Sequence, residues 1–352
     1  MPSAFYLLSS VKRAASVPAG TTAPKTRLGL LGCGMVGDLH RERLLAEGVE
    51  ITAICDPDSD ALARMAGRLP KRPRLFRSEQ DLLQAGLVDA VVVCTPHATH
   101  EQQIRAALAS DVHVLCEKPF VTDAAVGAEL VAEARKRGLA LFVSFTRRSR
   151  GHARFLLAAA GRIGPLQHVI VSRAQPWYVS NRRTWRMHLS EGGGFLVDAG
   201  ASMLDLVLRM VEYAPVTHLD AQLIRARGEY DADVEASLRL EFHGGTIRTD
   251  VILLGDTVEQ VERIQIYGEN GTAGWTLREG KPHDLYVRPA GGPSEEGDPA
   301  LYRVPSPDAA FVTAIRSGRG FGPDTAPDLY DAASAIPVIS LVERVYAEAI
   351  WR

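Results

Sequence analysis

The sequence predicts an α/β protein whose first half folds as a doubly wound parallel sheet. Two observations in that half predict it. Short apolar runs alternate with helical segments from Arg27 to Ser144, and a glycine-rich turn joins the first run to the first helix. A third observation marks a change of architecture. Beyond about residue 166 the strand-like runs lengthen and are joined by hairpin signals.

The stretch RLGLLGCGMVGDLH, from Arg27, reads as a strand, a tight turn and a helix start at about Met35. Gly32, Gly34 and Gly37 fit G-x-G-x-x-G, with Met35 and Val36 inside the motif. The first glycine permits the turn, the second lets backbone approach a pyrophosphate, and the third lets the helix pack closely. A phosphate would then rest on the unpaired N–H groups of the helix N-terminus. The next strand, VEITAIC, ends at Asp56, about twenty residues beyond Gly34, the distance expected of a ribose-binding acid. An acid there favours NAD over NADP, although Asp56 could instead cap a helix near Ser59. The alternation continues with AVVVC at Ala90–Cys94, a helix from about Thr99 to Ser110, HVLCE at His113–Glu117, a helix from about Asp123 to Arg137, and ALFVS at Ala140–Ser144.

Two loops at the carboxyl ends of these strands look chemical, CTPHATH at Cys94–His100 and CEKPF at Cys116–Phe120. Thr95, Pro96, His100 and Glu117 are candidate cofactor contacts. His97 and His100 are assigned no catalytic role. Lys118, fixed by Pro119, would point into the crevice, where a partly desolvated ammonium can polarise a carbonyl; the alternative is an exposed loop lysine.

In the second half, LQHVIVSRAQ, DVEASLRLEFHGGTIRTDVIL and ERIQIYGENGTAGWTL are strand-like, with hairpin signals at His243–Gly245 and Glu269–Gly271. An Ala-rich helical segment from about Asp328 to Trp351 closes the chain, with a break or kink expected at Pro337.

GCGMVG, CTPHATH, CEKPF, GRIGPL and GGGFLVDAGASMLD, in this order, resemble the Gfo/Idh/MocA oxidoreductase family over about residues 27–350. That resemblance implies a Rossmann domain followed by an α+β domain with a large, mostly antiparallel open sheet. It also implies NAD(P) dependence, sugars or cyclitols as substrates, and a homodimer or homotetramer formed through the open sheet, whose outer face would otherwise expose apolar surface. The expected divisions are an N-terminal flexible arm at 1–25, a cofactor domain at 26–146 and a substrate domain at 147–352.

The family's catalytic group maps onto Lys118, Asp198 and the position four residues after Asp198, where the family usually has His and this chain has Ser202. Gly192–Gly194 would let backbone approach substrate, and Asp198 would face it. A serine hydroxyl relays a hydrogen bond but is a poor general base at neutral pH, so Ser202 is either a weakened catalytic position or a small residue leaving room. Lys118 is the first candidate to supply the proton, ahead of His188 and Tyr178. The loop holding Trp177, Tyr178, Arg182, Arg183, Trp185 and Arg186, with Arg147 and Arg148 nearby, suits a sugar ring and an acidic group. Tyr178 and Arg186 are therefore candidate substrate contacts. The alternatives to a dehydrogenase are a non-catalytic NAD-binding sensor and a redox-neutral NAD-dependent enzyme.

Composition limits the remaining classes. With 352 residues, 46% of them hydrophobic, the chain can bury cores for two or three domains, and 40 basic against 42 acidic side chains imply no nucleic-acid face. No apolar run approaches the roughly 18 residues of a membrane span, so a cytoplasmic protein is expected. Four cysteines without a CxxC pair suggest reduced thiols and no metal site.

Overall fold

A computed structural model of the chain describes residues 26–317 and 329–352. The expected N-terminal arm lies outside the described residues. The first sheet comprises β1 (Arg27–Leu31), β2 (Glu50–Cys55), β3 (Arg74–Phe76), β4 (Ala90–Val93), β5 (His113–Glu117) and β6 (Leu141–Ser144). Its order is β3-β2-β1-β4-β5-β6, and every neighbouring pair is parallel. β1 and β4 are apolar and buried almost throughout because helices cover both faces. The order reverses between β1 and β4, which opens a crevice at their carboxyl ends.

The second sheet comprises β7 (Leu166–Ala174), β8 (Val216–Arg225), β9 (Asp233–Phe242), β10 (Ile247–Leu254), β11 (Val261–Gly268), β12 (Gly271–Arg278), β13 (Lys281–Pro289), β14 (Glu295–Glu296) and β15 (Ile350–Trp351). They run β14-β13-β12-β11-β7-β10-β9-β8-β15, antiparallel except for the pairs β7 with β10 and β8 with β15. Period-2 alternation sends Val234, Ala236, Leu238 and Leu240 of β9 to one face, in one buried cluster with the almost wholly buried helix Ala201–Met210 and the helix Ile336–Glu348. The other face is not the apolar surface expected. It carries an ion-paired row in which Asp250 accepts from His168 at 2.7 Å and Arg239 at 3.0 Å, beside an exposed Ile252.

The hairpins at His243–Gly245 and Glu269–Gly271 form as read. Pro337 does not kink the closing helix. It lies in the first turn of Ile336–Glu348, where a missing N–H costs no intrahelical bond, and the chain ends as the edge strand β15. The helix Pro307–Ser317 returns to the first sheet, where Phe311 packs on Phe142 with ring centroids 5.6 Å apart. Among the described residues no helix is long and apolar enough to cross a membrane, and no His/Cys/Asp/Glu group is placed to hold a metal.

Candidate active site

β1 delivers Gly32 with φ +96°, and a Cβ there would lie 2.7 Å from the Cys94 carbonyl, so glycine is required for the turn to pack on the loop after β4. A Cβ on Gly37 would lie 2.2 Å from the Gly32 carbonyl. Gly34 differs, because a Cβ there would meet nothing within 4 Å. It caps the helix Met35–Ala46 without a side-chain acceptor, leaving first-turn N–H groups aimed at open space beside the exposed Met35 and the half-buried Val36. Asp56 accepts from the Cys33 N–H at 2.8 Å and the Asp58 N–H at 2.9 Å, while Asp58 is the residue that caps the next helix. The acid thus belongs to the glycine loop. Gly34 and Asp56 are the residues of this cradle that could hold the pyrophosphate and the adenosine ribose of a dinucleotide.

The CTPHATH loop folds back on itself, with Thr99 Oγ1 lying 2.9 Å from Thr95 Oγ1 and 2.8 Å from the Pro96 carbonyl, to which it donates. His100 is fully buried, its ring nitrogens 2.9 Å from the Pro119 carbonyl and 3.0 Å from the Thr95 carbonyl. It braces the two loops against each other and does not open onto the crevice. The Lys118–Pro119 peptide is cis. Glu117 accepts from His40 Nε2 at 3.0 Å and from the Lys118 backbone N–H at 3.2 Å.

Lys118 and Asp198 meet at the mouth of the crevice. Lys118 Nζ donates to Asp198 Oδ1 at 2.9 Å and to the Asp198 carbonyl at 2.7 Å. The other carboxylate oxygen accepts from Trp177 Nε1 at 2.7 Å and Arg186 Nε at 3.0 Å. Burial alone would raise the Asp198 pKa. The Lys118 charge and its other donors overcome that and hold it well below the usual carboxylate range. His97 Nδ1 lies 2.7 Å from the Gly192 carbonyl and its ring packs edge-on to Trp185; burial pulls its pKa down to about 3, so the imidazole is neutral at pH 7.

Asp198 rides on a π-helical turn, Leu196–Gly200, that leads into Ala201–Met210. The glycines before it serve protein packing and not substrate approach. A Cβ on Gly193 would lie 2.3 Å from the Arg186 carbonyl, and one on Gly194 would lie 2.3 Å from Asp233 Oδ1. Ser202 is buried on the same helix, donates to the Ala199 carbonyl at 3.1 Å and accepts from Arg147 Nε at 3.0 Å. His188 is exposed and packs on Tyr230, and neither it nor Tyr178 lines the cleft around Lys118.

That cleft holds about 220 Å³ and is lined by Lys118, Asp198 and Ser202 together with Arg147, Arg150 and Arg173. Arg147 is clamped in a bidentate pair on Glu262, whose pKa burial would raise but the Arg147 charge drives down to about 2. Arg173 and Glu262 were missed at the sequence level. They stand directly opposite each other on β7 and β11, both at core-facing positions. The available signal was a charge in the same phase as Val169 and Val171, and as Ile264 and Ile266. Of the expected acid-binding arginines, Arg182 and Arg183 are exposed, Arg186 is engaged by Asp198, and Arg148 is fully buried on Asp205.

Comparison with known proteins identifies both halves of the fold. Residues 26–145 match a family model described as oxidoreductase family, NAD-binding Rossmann fold, and residues 156–274 match the GFO/IDH/MocA C-terminal domain. An inositol 2-dehydrogenase of Cereibacter sphaeroides is 34% identical over 45% of this chain and 48% of its own length. The chain thus spans about half the length of that relative. A D-glucoside 3-dehydrogenase of Escherichia coli is 28% identical over 64% of this chain and 69% of its own. Among solved structures, the WlbA dehydrogenase of Bordetella pertussis in complex with NADH and UDP-GlcNAcA superposes with a TM-score of 0.74 at 25% identity, covering 92% of this chain and 96% of that one. A 3-ketoreductase of Actinomadura kijaniata with NADP and TDP-benzene reaches 0.76 at 23% identity, covering 93% and 99%.

Proposed function

Because the chain belongs to the Gfo/Idh/MocA family of oxidoreductases, we propose that it moves a hydride between an NAD(P) nicotinamide and a hydroxyl-bearing carbon of a sugar, cyclitol or related polyol. The observation that carries this reading is the Lys118–Asp198 pair at the mouth of a crevice whose glycine loop has room for a dinucleotide. The nicotinamide, when bound, is the hydride partner. NAD is favoured because the Asp56 carboxylate beside Cys33 would repel a 2′-phosphate.

The chain's own residues have separable tasks. In the reducing direction, Lys118 donates the proton to the developing alkoxide oxygen; in the oxidising direction, the Lys118 side chain in its amine form takes that proton from the hydroxyl as hydride leaves the carbon for the nicotinamide. Asp198 fixes the Lys118 ammonium through two contacts and remains ionised, so it can accept from a second substrate hydroxyl. Ser202 is not a base, since its proton goes to the Ala199 carbonyl and its oxygen receives Arg147. Its small side chain leaves the cleft open where the family usually has an imidazole.

A non-catalytic NAD sensor is the second reading, and Ser202 is the observation in its favour. Against it, a sensor has no need of an ammonium aimed into the crevice and oriented by a buried carboxylate. The test is NADH absorbance with a panel of sugars and cyclitols. On a substrate so identified, Lys118→Ala lowers kcat by about 10² to 10⁴. Full turnover by that variant sinks the assignment, and silence of the native chain across the panel with NAD bound favours the sensor or a redox-neutral enzyme.

A further inference from the structure

The cleft beside Lys118 holds more positive charge than it neutralises. Lys118, Arg147, Arg150 and Arg173 line it, and the carboxylates within reach are Asp198 on its wall and Glu262 behind Arg147. Most of the donors are already used. Lys118 is on Asp198, and Arg147 is on Glu262 and Ser202. Arg173 gives Nε and Nη2 to the Gln175 side-chain oxygen, at 2.9 and 2.6 Å, and only its Nη1 is loosely held, 3.4 Å from both Glu262 Oε1 and the Ala199 carbonyl. Arg150, at the solvent edge, is different. Its backbone N–H bonds to the Arg147 carbonyl, but its guanidinium has no acceptor among the described residues.

We propose that the free Arg150 guanidinium, with Arg173 Nη1 behind it, receives a carboxylate carried by the sugar substrate, so that the preferred substrate is an acidic sugar such as a hexuronic acid. The assignment rests on the oxidoreductase reading for the ligand being a sugar. One guanidinium fork presents two parallel N–H groups, which match one planar monoanionic carboxylate. A phosphate dianion would call for further free donors, whereas the Arg147 fork is committed to Glu262 and the third Lys118 N–H to the reacting oxygen. The electrostatics agree with the geometry. Burial, and then the charge of Arg147, push Arg173 down to about 10, and the charge of Arg147 opposes that of Arg150 as well. The cations thus oppose one another, and an anion between them removes that repulsion. Ser202 fits the same picture, because a small residue there leaves space for a ring bearing an extra group, with the Phe145 side chain on the cleft wall. The acid subsite is therefore distinct from the exposed Arg182 and Arg183 that the sequence suggested.

The test is calorimetric titration of the full chain, saturated with NAD, with D-glucuronate, D-glucose and D-glucose 6-phosphate. Glucuronate is expected to bind about tenfold more tightly than glucose, Arg150→Gln to shrink that ratio below about threefold, and Arg150→Lys to recover part of it. Failure of glucuronate to bind, equal affinity for glucuronate and glucose, tighter binding of the 6-phosphate, or a preference that survives in Arg150→Gln each overturns the proposal. NADH absorbance in the same samples separates the two readings. A carboxylate preference without NADH sinks the redox assignment and leaves the subsite standing, whereas NADH formed from neutral sugars without any preference does the reverse.

Discussion

Gly34 and Gly193 both lie in glycine runs that the sequence marks as ligand-facing, yet their surroundings set opposite consequences for one added methyl. At Gly193 the methyl would strike the Arg186 and His188 carbonyls, so that glycine belongs to the packing of the fold. At Gly34 it would meet open space, in a backbone conformation with φ −77° that alanine adopts freely. Gly34→Ala should therefore leave the thermal unfolding midpoint of the unliganded protein essentially unchanged while weakening NAD about tenfold or more, because the methyl occupies the volume a pyrophosphate needs. Calorimetric titration beside a melting curve checks both halves, and an unaltered NAD affinity removes the pyrophosphate from this loop. Legibility in the sequence follows the same division. Lys118, Asp198 and Ser202 were readable because they stand in contiguous motifs. Trp177 as a donor to Asp198, and the Arg173–Glu262 pair, were not, because their partners come from other elements and only a strand phase hinted at them.

Between elements, the fully buried His40 joins three that lie far apart in sequence. It sits on the helix Met35–Ala46, with Nε2 on Glu117 at the end of β5 and Nδ1 2.5 Å from Asp308 on the helix Pro307–Ser317. Arg43 approaches the second Asp308 oxygen at 3.6 Å, and Lys118 follows Glu117 in the chain. The cofactor helix is thereby fastened to the strand that presents Lys118. Burial opposes the imidazolium, but the hydrogen bonds and charges of Asp308 and Glu117 outweigh it and raise His40 to about 9. A pKa raised above its unfolded value near 6.5 stabilises the fold fully below that value and ceases to as pH climbs through about 9, a contribution on the order of 3 kcal/mol. The imidazole resonances of His40 should titrate near 9 by NMR, with the urea midpoint falling over the same interval; titration near 6.5 would refute the ion triad. None of this was visible in the sequence, where a lone histidine in a helix carries no mark of partners in β5 and in the helix Pro307–Ser317. The π-turn under Asp198 was hidden for a related reason, since LVDAG has the composition of an ordinary helix.

At the scale of the molecule, the two sheets are tied by a buried pair at their junction. Arg148 follows β6 in the turn Thr146–Ser149, stacks on Phe145 at 4.3 Å, and grips Asp205 of the helix Ala201–Met210 through Nε at 2.8 Å and Nη2 at 2.5 Å. Its third nitrogen donates to the Leu329 carbonyl and to Ser334 Oγ, each at 2.6 Å, which brings in the chain that leads to the closing helix. The sequence showed Arg147 and Arg148 as equivalent neighbours at a domain boundary. The structure gives them opposite fates because consecutive residues of a tight turn point apart, one into the cleft and one into the core. Removing one member of such a fully buried pair leaves an uncompensated charge away from solvent, whereas removing both leaves only a volume to fill. Asp205→Asn should therefore cost about 3 to 5 kcal/mol by urea denaturation, and Arg148→Met combined with Asp205→Leu should lie much nearer the native chain. The single variant also leaves Arg148 free to leave the junction, and because Arg147 is its direct neighbour the loss should reach the cleft as a weakened Arg147 hold on Glu262 and Ser202, read as a lowered kcat. If Asp205→Asn unfolds within about 1 kcal/mol of the native chain, the pair does not hold the two domains in register, and the placement of Arg147 must come from Glu262 alone.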